Sequence, residues 1–438
     1  MTSAGRDGAM RQTTFYGWKL LAVLWFVLFA NFAFPLTGAS VINAYMAAGL
    51  HFDRSTLGFS YAAFYWLHGI PAPLIAICVT KKGVRFTLTM GGALVAGGAL
   101  IMATLVRTSA QVDVVFGVMI GLGVVAGGTL PSQAAIARWF VRKKARAISL
   151  LLTGSGIGGI VAPPLLNRVI AAFGGNWRAG WLVVFGLSAA ATLLTLWFVK
   201  ERPSDVGQEP DGGVALANPG SAVAKVSQRF YQTAENWTFA EILRSPTMWL
   251  FLIASLGYSV GFPAFLAHGV VHLEDLGHSA AGAAFSLSVM ALFSLIGHLV
   301  VATIGDYINP QLIWSAGLFL FGAGIFLAVR ATGTVGLYLY AVLLGMGYGS
   351  LVPSMMTVPV NYFGHKAYPS IVGLILAVGT TVGAIGAYLA GYGYDHFGSY
   401  APAFYLIAGL CVGGSILLVF MKPPVRRAAK SQAAAVTY

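Results

Sequence analysis

The chain has 438 residues, of which 58% are hydrophobic and only 9% are charged. A soluble domain carries about 25% charged residues, so this composition excludes an ordinary globular protein and indicates a helical integral membrane protein. The net charge of +13 is spread over loops and tails, and we therefore interpret it as a sign of membrane topology and not of nucleic-acid binding.

Twelve apolar stretches are predicted to cross the bilayer, which takes about 20 residues per helix. A polar linker, 200–245, divides them into two blocks, 16–199 and 246–421, as in transporters built from two parallel six-helix repeats. Residues 1–15 and 422–438 are predicted to be polar tails. The predicted spans lie near 16–47, 55–80, 86–107, 110–137, 147–173, 177–199, 246–270, 279–305, 311–330, 334–362, 369–394 and 399–421.

The basic residues predict the orientation of the chain. Loops that remain in the cytoplasm carry an excess of Lys and Arg, so the face that holds most of them is predicted to be cytoplasmic. This places the linker and both termini inside, in a protein of the cytoplasmic (inner) membrane. We find no cleavable signal sequence, because the polar tail leads directly into a span too long for a signal-peptide core. All but five of the 26 Lys and Arg lie on that face, the exceptions being Arg54, Arg107, Arg168, Arg178 and Arg330.

Polar residues inside the first two spans are the first candidate site residues. Asn31 lies in the middle of the first span, near Pro35, which either lines a cavity or only kinks the helix. In the second span, Tyr65 and His68 share one helical face near mid-depth. An ionisable group at that depth is a functional candidate, although a neutral His bonded to a neighbouring helix is the alternative.

Two basic turns on the predicted cytoplasmic side are candidate gating elements. The first contains Lys81, Gly83 and Arg85. The second, 138–146, includes Arg142 and Lys143 and continues into a helix whose glycines recur at short spacing. Such small residues allow neighbouring helices to approach closely, so this repeat is also explained by simple packing.

The second half carries its candidates on four spans. The eighth span contains no Lys, Arg, Asp or Glu, but Ser294 and His298 lie on one face, and Asp306 follows it as a further gating candidate. The two cysteines lie in apolar spans, and the loop 272–278 matches no metal-ligand spacing, so neither a metal nor a cofactor is predicted. The other three spans contribute Tyr258, Tyr348 and Tyr388.

These stretches resemble the monocarboxylate transporter and oxalate/formate antiporter families of the major facilitator superfamily. The resemblance rests on the basic turn and glycine-spaced helix at 138–164 and on 283–306, which is similar to the eighth helix of monocarboxylate transporters. The turn 80–85 is similar to the superfamily loop G-x-x-x-D-R-x-G-R-K, with Thr80 where the acid would be. The fold implied is all-α, with two six-helix bundles.

The resemblance also shows three departures from the family pattern. His298 stands where the family has an arginine that holds the substrate carboxylate, and Ser294 where it has an aspartate used with the proton. Leu36 stands where it has a substrate-linked lysine. A protonated His298 or His68 would therefore have to supply the charge for an anion, because His titrates near pH 6.5.

The function implied is secondary transport of a small organic anion, namely a monocarboxylate moved with a proton by alternating access. No motif for hydrolysis or nucleotide binding supports an enzyme, and the functional unit is expected to be a monomer. An exporter of an amphipathic or aromatic compound by proton antiport is the alternative, since 158–164 loosely resembles drug-exporting antiporters. A membrane sensor that signals through its linker is a further alternative.

Overall fold

The computed structural model describes residues 15–140, 144–210, 231, 233, 237–305, 307–364 and 368–424. Every regular element in this part of the chain is helical, which confirms the prediction of an all-α membrane protein. We number the long helices in chain order: α1 is Tyr16–Leu50, α2 is Arg54–Gly69 continued by Ala72–Lys81, α3 is Val84–Thr104, α4 is Ser109–Ile136, α5 is Lys144–Ala172, α6 is Trp177–Phe198, α7 is Pro246–Asp275, α8 is Ala280–Ile304, α9 is Pro310–Ala328, α10 is Thr334–Phe363, α11 is Tyr368–Phe397 and α12 is Ala401–Phe420.

Eleven helices in the described ranges are long and apolar enough to cross a membrane, or twelve when the bent helix α2 counts as one. The two parts of α2 meet at an angle of 40°. The bend follows His68 and includes Pro71. Proline cannot donate the backbone hydrogen bond of a straight helix, which explains a break at this point.

Helix α1 is widened in its middle. Residues Phe29–Gly38 form a π-helix around Pro35, and the Thr37 hydroxyl donates to the carbonyl of Ala33 over 2.8 Å. The proline removes one backbone donor, and such π segments often accompany functional sites. Helix α4 contains a second π segment, Asp113–Ile120. Both irregular segments lie in the first half of the chain.

In the described residues, the two halves of the chain, α1–α6 and α7–α12, meet mainly along four helix pairs. Helix α2 packs on α11, α5 packs on α8, and α7 contacts both α1 and α2. We call the side where α1 begins and α12 ends the terminal face. The opposite side, where α2 begins and α7 and α11 end, is called the gate face.

Glycines allow α2 and α11 to touch backbone to backbone near the gate face. A Cβ atom added to Gly58 would lie 2.5 Å from the carbonyl oxygen of Ala387. One added to Gly391 would lie 2.2 Å from the carbonyl oxygen of Arg54. Both distances are far below van der Waals contact, so any side chain there would push the two helices apart.

Two adjacent glycines of α12 test the role of close packing. A Cβ atom on Gly414 would lie 2.4 Å from the carbonyl oxygen of Ala254 in α7, whereas one on Gly413 meets nothing within 4 Å. We expect Gly414→Leu to lower the free energy of unfolding by about 1–3 kcal/mol, because it overpacks the α7–α12 contact. Gly413→Leu should leave it unchanged. Thermal unfolding in detergent measures both, and equal effects would contradict the packing.

Candidate functional site

An aromatic cluster lies between the two halves at mid-depth. The rings of Phe262 and Tyr348 stack with centroids 4.6 Å apart, and Tyr258 lies 6.0 Å from each of them. Tyr65 approaches from α2, with its hydroxyl close enough to Tyr258 and Tyr348 for electrostatic interaction. We call Tyr65, Tyr258, Phe262 and Tyr348 the tyrosine cluster. It brings together three predicted site residues from three helices, α2, α7 and α10.

The hydroxyl of Tyr65 is buried without a hydrogen-bond partner among the described residues. Its side chain is only 7% exposed, so water does not surround it. An unpaired buried hydroxyl costs about 1–3 kcal/mol, which proteins usually avoid. The cost is removed when a bound polar molecule pairs with the hydroxyl, and such unpaired groups are therefore informative about sites.

His298 lies beside this cluster on α8. Its ring is 6.2 Å from that of Tyr348, in an edge-on arrangement. Its Nδ1 is 2.7 Å from the carbonyl oxygen of Ser294, one turn earlier. A carbonyl only accepts hydrogen bonds, so Nδ1 carries a proton, and in the neutral ring Nε2 is an acceptor. The structure thus joins the predicted pair Ser294 and His298 through the Ser294 backbone.

His68 flanks the same cluster from the first half. Its half-buried ring lies 6.5 Å from Tyr65, and it stacks on Phe64 at 6.1 Å and tilts against Phe32 at 5.9 Å. No hydrogen bond joins this ring to another described residue. Tyr65 links His68 to the cluster and Tyr348 links His298 to it, so the two histidines flank one site from different halves.

Two predicted residues lie elsewhere. Asn31 is buried on the side of α1 that faces α3, with its amide nitrogen 3.0 Å from where a Cβ of Gly92 would be. Tyr388 packs edge-on against Phe59 at 6.2 Å, and both rings are at least 36% exposed on the outer side of the α2–α11 contact. Neither side chain reaches the tyrosine cluster, since each occupies another face of its helix.

The predicted gating turn is organised by an acid that the sequence motif lacks. Glu201, three residues after α6, accepts hydrogen bonds from the backbone nitrogens of Val84 and Arg85 over 2.9 and 2.8 Å. It also pairs with Arg138 over 2.9 Å. A carboxylate there caps the first turn of α3, where backbone donors are otherwise unpaired. Glu201 thus supplies an acid beside this turn, whereas the loop motif would have its acid at the position of Thr80.

Gly83 gives this turn its shape. Its φ angle is +93°, and an added Cβ would lie 2.5 Å from Glu201 Oε1. Such a backbone conformation favours glycine. Lys81 ends α2 on the terminal face, next to the turn. The other three gating predictions, Arg142, Lys143 and Asp306, lie outside the described residues.

At the gate face, charged groups join the halves. Arg54 at the start of α2 pairs with Asp275 at the end of α7 over 3.0 Å. Asp395 of α11 accepts from the backbone nitrogens of Arg54 and Ser55 over 3.1 and 2.9 Å. Deeper in the bundle, Ser40 donates to the carbonyl of Leu266 over 2.7 Å. The sequence places these residues on one side of the membrane but does not predict their pairing.

The halves are therefore closed at the gate face. Among described residues, every hydrogen bond that crosses between the halves lies in the gate-face part of the bundle. Toward the terminal face, the second part of α2, Ala72–Lys81, packs on α3 and α4 of its own half. Its Leu74 and Ile77 are 67% and 49% exposed. Among the described residues, hydrogen bonds therefore join the halves near the gate face and not toward the terminal face.

Comparisons with known proteins agree with this architecture. The model of the Major Facilitator Superfamily matches residues 21–338 and 274–437. Monocarboxylate transporter 13 of Bos taurus is 26% identical over 354 residues, which cover 80% of this chain and 76% of that protein. Monocarboxylate transporter 1 of Homo sapiens is 23% identical over 445 residues, which cover 96% and 87%.

Solved structures show the same fold at low identity. A nucleoside transporter superposes with a TM-score of 0.70 at 16% identity, covering 92% of this chain and 99% of its own. A D-xylose-proton symporter superposes with a TM-score of 0.66 at 15% identity, covering 94% and 98%. At these identities the likeness supports the fold alone.

The gate contacts predict how the removal of an acidic side chain shifts the conformation. Asp395→Ala removes an acceptor for two backbone donors of α2, worth about 1 kcal/mol, and should raise the population separated at the gate face about fivefold. Asp275→Ala should act less, because a half-exposed ion pair contributes about 0–1 kcal/mol. Spin labels on Leu105→Cys and Val335→Cys, which are 64% and 80% exposed and lie in different halves, measure the separation.

For the labelling, the two native cysteines, Cys78 and Cys411, are first replaced. Glu209→Ala removes an exposed acid away from the gate face and serves as the matched control. It should leave the distance distribution unchanged. A distribution that is the same in Asp395→Ala as in the control would show that these contacts do not hold the gate closed.

Proposed function

Because the chain belongs to the Major Facilitator Superfamily, we propose that it is a secondary transporter that carries a small monocarboxylate together with a proton. The observation that carries this proposal is the position of His298 beside the tyrosine cluster, between the two halves. In transporters with paired six-helix bundles, the substrate site lies near mid-depth between the bundles. The relatives described above are monocarboxylate transporters, which supports this substrate class.

His298 can link a proton to an anion. Its Nδ1 donates to the carbonyl of Ser294, so only Nε2 is free to gain a proton. Protonation gives the ring a positive charge and a second donor in the same step. A carboxylate binds this form and not the neutral one, so each ligand raises the affinity for the other. The family's arginine would instead hold a fixed charge at this position.

The tyrosine hydroxyls can complete the carboxylate site. Two carboxylate oxygens offer about four acceptor positions, which one histidine does not fill. Tyr65 has a buried hydroxyl without a partner among the described residues, and Tyr258 and Tyr348 present theirs beside it. A hydrogen bond to a charged group contributes about 1.5–3 kcal/mol. His68 is the second candidate for proton coupling, from the other side of the cluster.

Alternating access would use the two faces in turn. With the terminal face in the cytoplasm, as the distribution of basic residues predicts, we assign the present arrangement, which is closed at the gate face, to the inward-facing state. Closing that face would bring the turn at Lys81, Gly83 and Arg85 toward the other half. We assign Arg142, Lys143 and Asp306 to the same gate. Rocking of the halves around the tyrosine cluster then carries substrate and proton across together.

A second candidate function is export of an amphipathic or aromatic compound by proton antiport. The observation that favours it is the aromatic wall itself, since Phe262 and Tyr348 stack at 4.6 Å and Tyr258 packs on Phe321 at 5.8 Å. The cluster carries no fixed charge. An apolar ring would bind there through stacking and burial.

Substitution of His298 tests the coupling. Without the titrating ring, His298→Gln should reduce monocarboxylate uptake into proteoliposomes at least about tenfold and abolish its rise with falling external pH, because the site loses its charged donor. His298→Arg should retain exchange of internal for external substrate but lose the pH dependence. His396→Gln, on an exposed histidine at the gate face, is the control. An unchanged pH profile of uptake in His298→Gln would refute the role of His298 in proton coupling.

Removal of a tyrosine hydroxyl tests substrate contact. Tyr65→Phe should raise the KM for uptake about tenfold or more through loss of a bond to the carboxylate, without loss of thermal stability, because the hydroxyl has no partner in the described protein. The control is Tyr340→Phe, whose buried hydroxyl pairs with Ser286 over 2.5 Å within one half. It should lower stability by about 1 kcal/mol and leave KM unchanged. An unchanged KM in Tyr65→Phe together with a raised KM in Tyr340→Phe would show that the substrate binds elsewhere.

A further inference from the structure

A third histidine is buried where the two halves meet below the gate face. His268 of α7 is completely buried. Its Nε2 is 2.9 Å from the carbonyl oxygen of Ala387 in α11, and its Nδ1 is 3.2 Å from the hydroxyl of Tyr400 before α12. It lies seven residues before Asp275, which is about 10 Å along the helix at 1.5 Å per residue.

These contacts define the protonation state of the ring. The carbonyl of Ala387 only accepts, so Nε2 is the protonated nitrogen. Nδ1 then accepts from the hydroxyl of Tyr400. Both nitrogens of the neutral ring are satisfied, and a second proton would bury a charge and force the hydroxyl of Tyr400 to turn. A buried polar group tolerates neither change without cost.

Helix α2 covers this arrangement from the other half. A Cβ atom on Gly58 would lie 3.0 Å from His268 Nε2 and 2.5 Å from the carbonyl oxygen of Ala387. The backbone of α2 therefore lies directly over the hydrogen bond between α7 and α11. Water reaches the ring only after α2 moves away, which is the movement that opens the gate face.

We propose that His268 is a proton-binding site of the transport cycle, accessible only while the gate face is open. A proton held on His268 keeps α2 from closing over α7 and α11, and its release allows the closed arrangement described above. The site is distinct from the tyrosine cluster. Its role does not depend on which substrate binds there.

The charged and titratable groups around His268 come from every helix that packs on it. Arg54 of α2 and Asp395 of α11 act on the ring electrostatically from the gate face. Asp275 lies at the end of its own helix, paired with Arg54. The other two titratable groups are Tyr400 and His272. The ring of Tyr400 contacts the rings of both His268 and His272. Opposite charges at the gate face largely offset each other, so solvent access is the main difference between the two conformations.

The sign of the effect follows from linkage. The closed form holds neutral His268, and the open form admits either state, so protons bind the open form better. Lower pH therefore favours the open gate, and higher pH favours the closed one. A single site with a pKa that differs by one unit between the two forms changes their ratio about tenfold.

The test uses the spin-labelled pair at positions 105 and 335 in the full chain, without substrate. Between about pH 8 and pH 5, the open-to-closed ratio at the gate face should rise about tenfold in the parent. His268→Gln keeps a donor for the carbonyl of Ala387 but cannot titrate, so its ratio should not respond to pH. His268→Phe should behave in the same way and provides a second variant if the glutamine disturbs folding.

His272→Gln is the matched control. His272 lies one turn further on α7, is only 5% exposed, and contacts the carbonyl of Ala328 over 3.0 Å. The three atoms nearest to a Cβ on Gly58 of α2 include His268 Nε2 but no atom of His272. The His272→Gln variant should retain the pH response of the parent. A full pH response in either folded His268 variant, or loss of the response in His272→Gln, would overturn the proposal.

A measurement on the unsubstituted protein gives an independent readout. Hydrogen–deuterium exchange at the imidazole C2 atom, followed by mass spectrometry, should be much slower at His268 than at the exposed His396. It should accelerate at His268 when Asp395→Ala weakens the gate. Equal rates at the two histidines, or no acceleration at His268, would show that the closed gate does not shield the site.

Discussion

The backbone contact between α2 and α11 is the constraint on which the rest of the structure depends. Gly58 and Gly391 leave no room for a side chain, so the two halves meet directly below the gate face. This contact brings Arg54 and Ser55 within reach of Asp395 and places α2 over the buried His268. These contacts between the halves open as a unit, because packed interfaces do not deform continuously.

The site between the halves combines few charges with several titratable or polar groups. In place of a fixed cation it holds His298, which is charged only after it binds a proton, and three tyrosines, one of them with an unpaired buried hydroxyl. Under the proposed function, this site binds an anion only together with a proton. The same rings form an apolar wall, which explains why an aromatic substrate remains the second candidate.

The sequence predicts the helices and places some candidate site residues on shared helical faces. Long apolar runs predict spans directly, and the four-residue spacing of Ser294 and His298 predicts their contact. The sequence does not say which face of a single helix meets the other half, so it predicts Asn31 and Tyr388 beside residues that they do not contact. The acid Glu201 and the gate partner Asp395 were also missed, because each pairs with residues more than 60 positions away.

Proteoliposome uptake tests the central claim most directly. The purified protein would be given small radiolabelled monocarboxylates, including aromatic and hydroxy acids, with and without an inward proton gradient. We predict that uptake of at least one acid rises with the gradient and is abolished by His298→Gln. If no acid moves under any gradient, the claim of proton-linked monocarboxylate transport is contradicted.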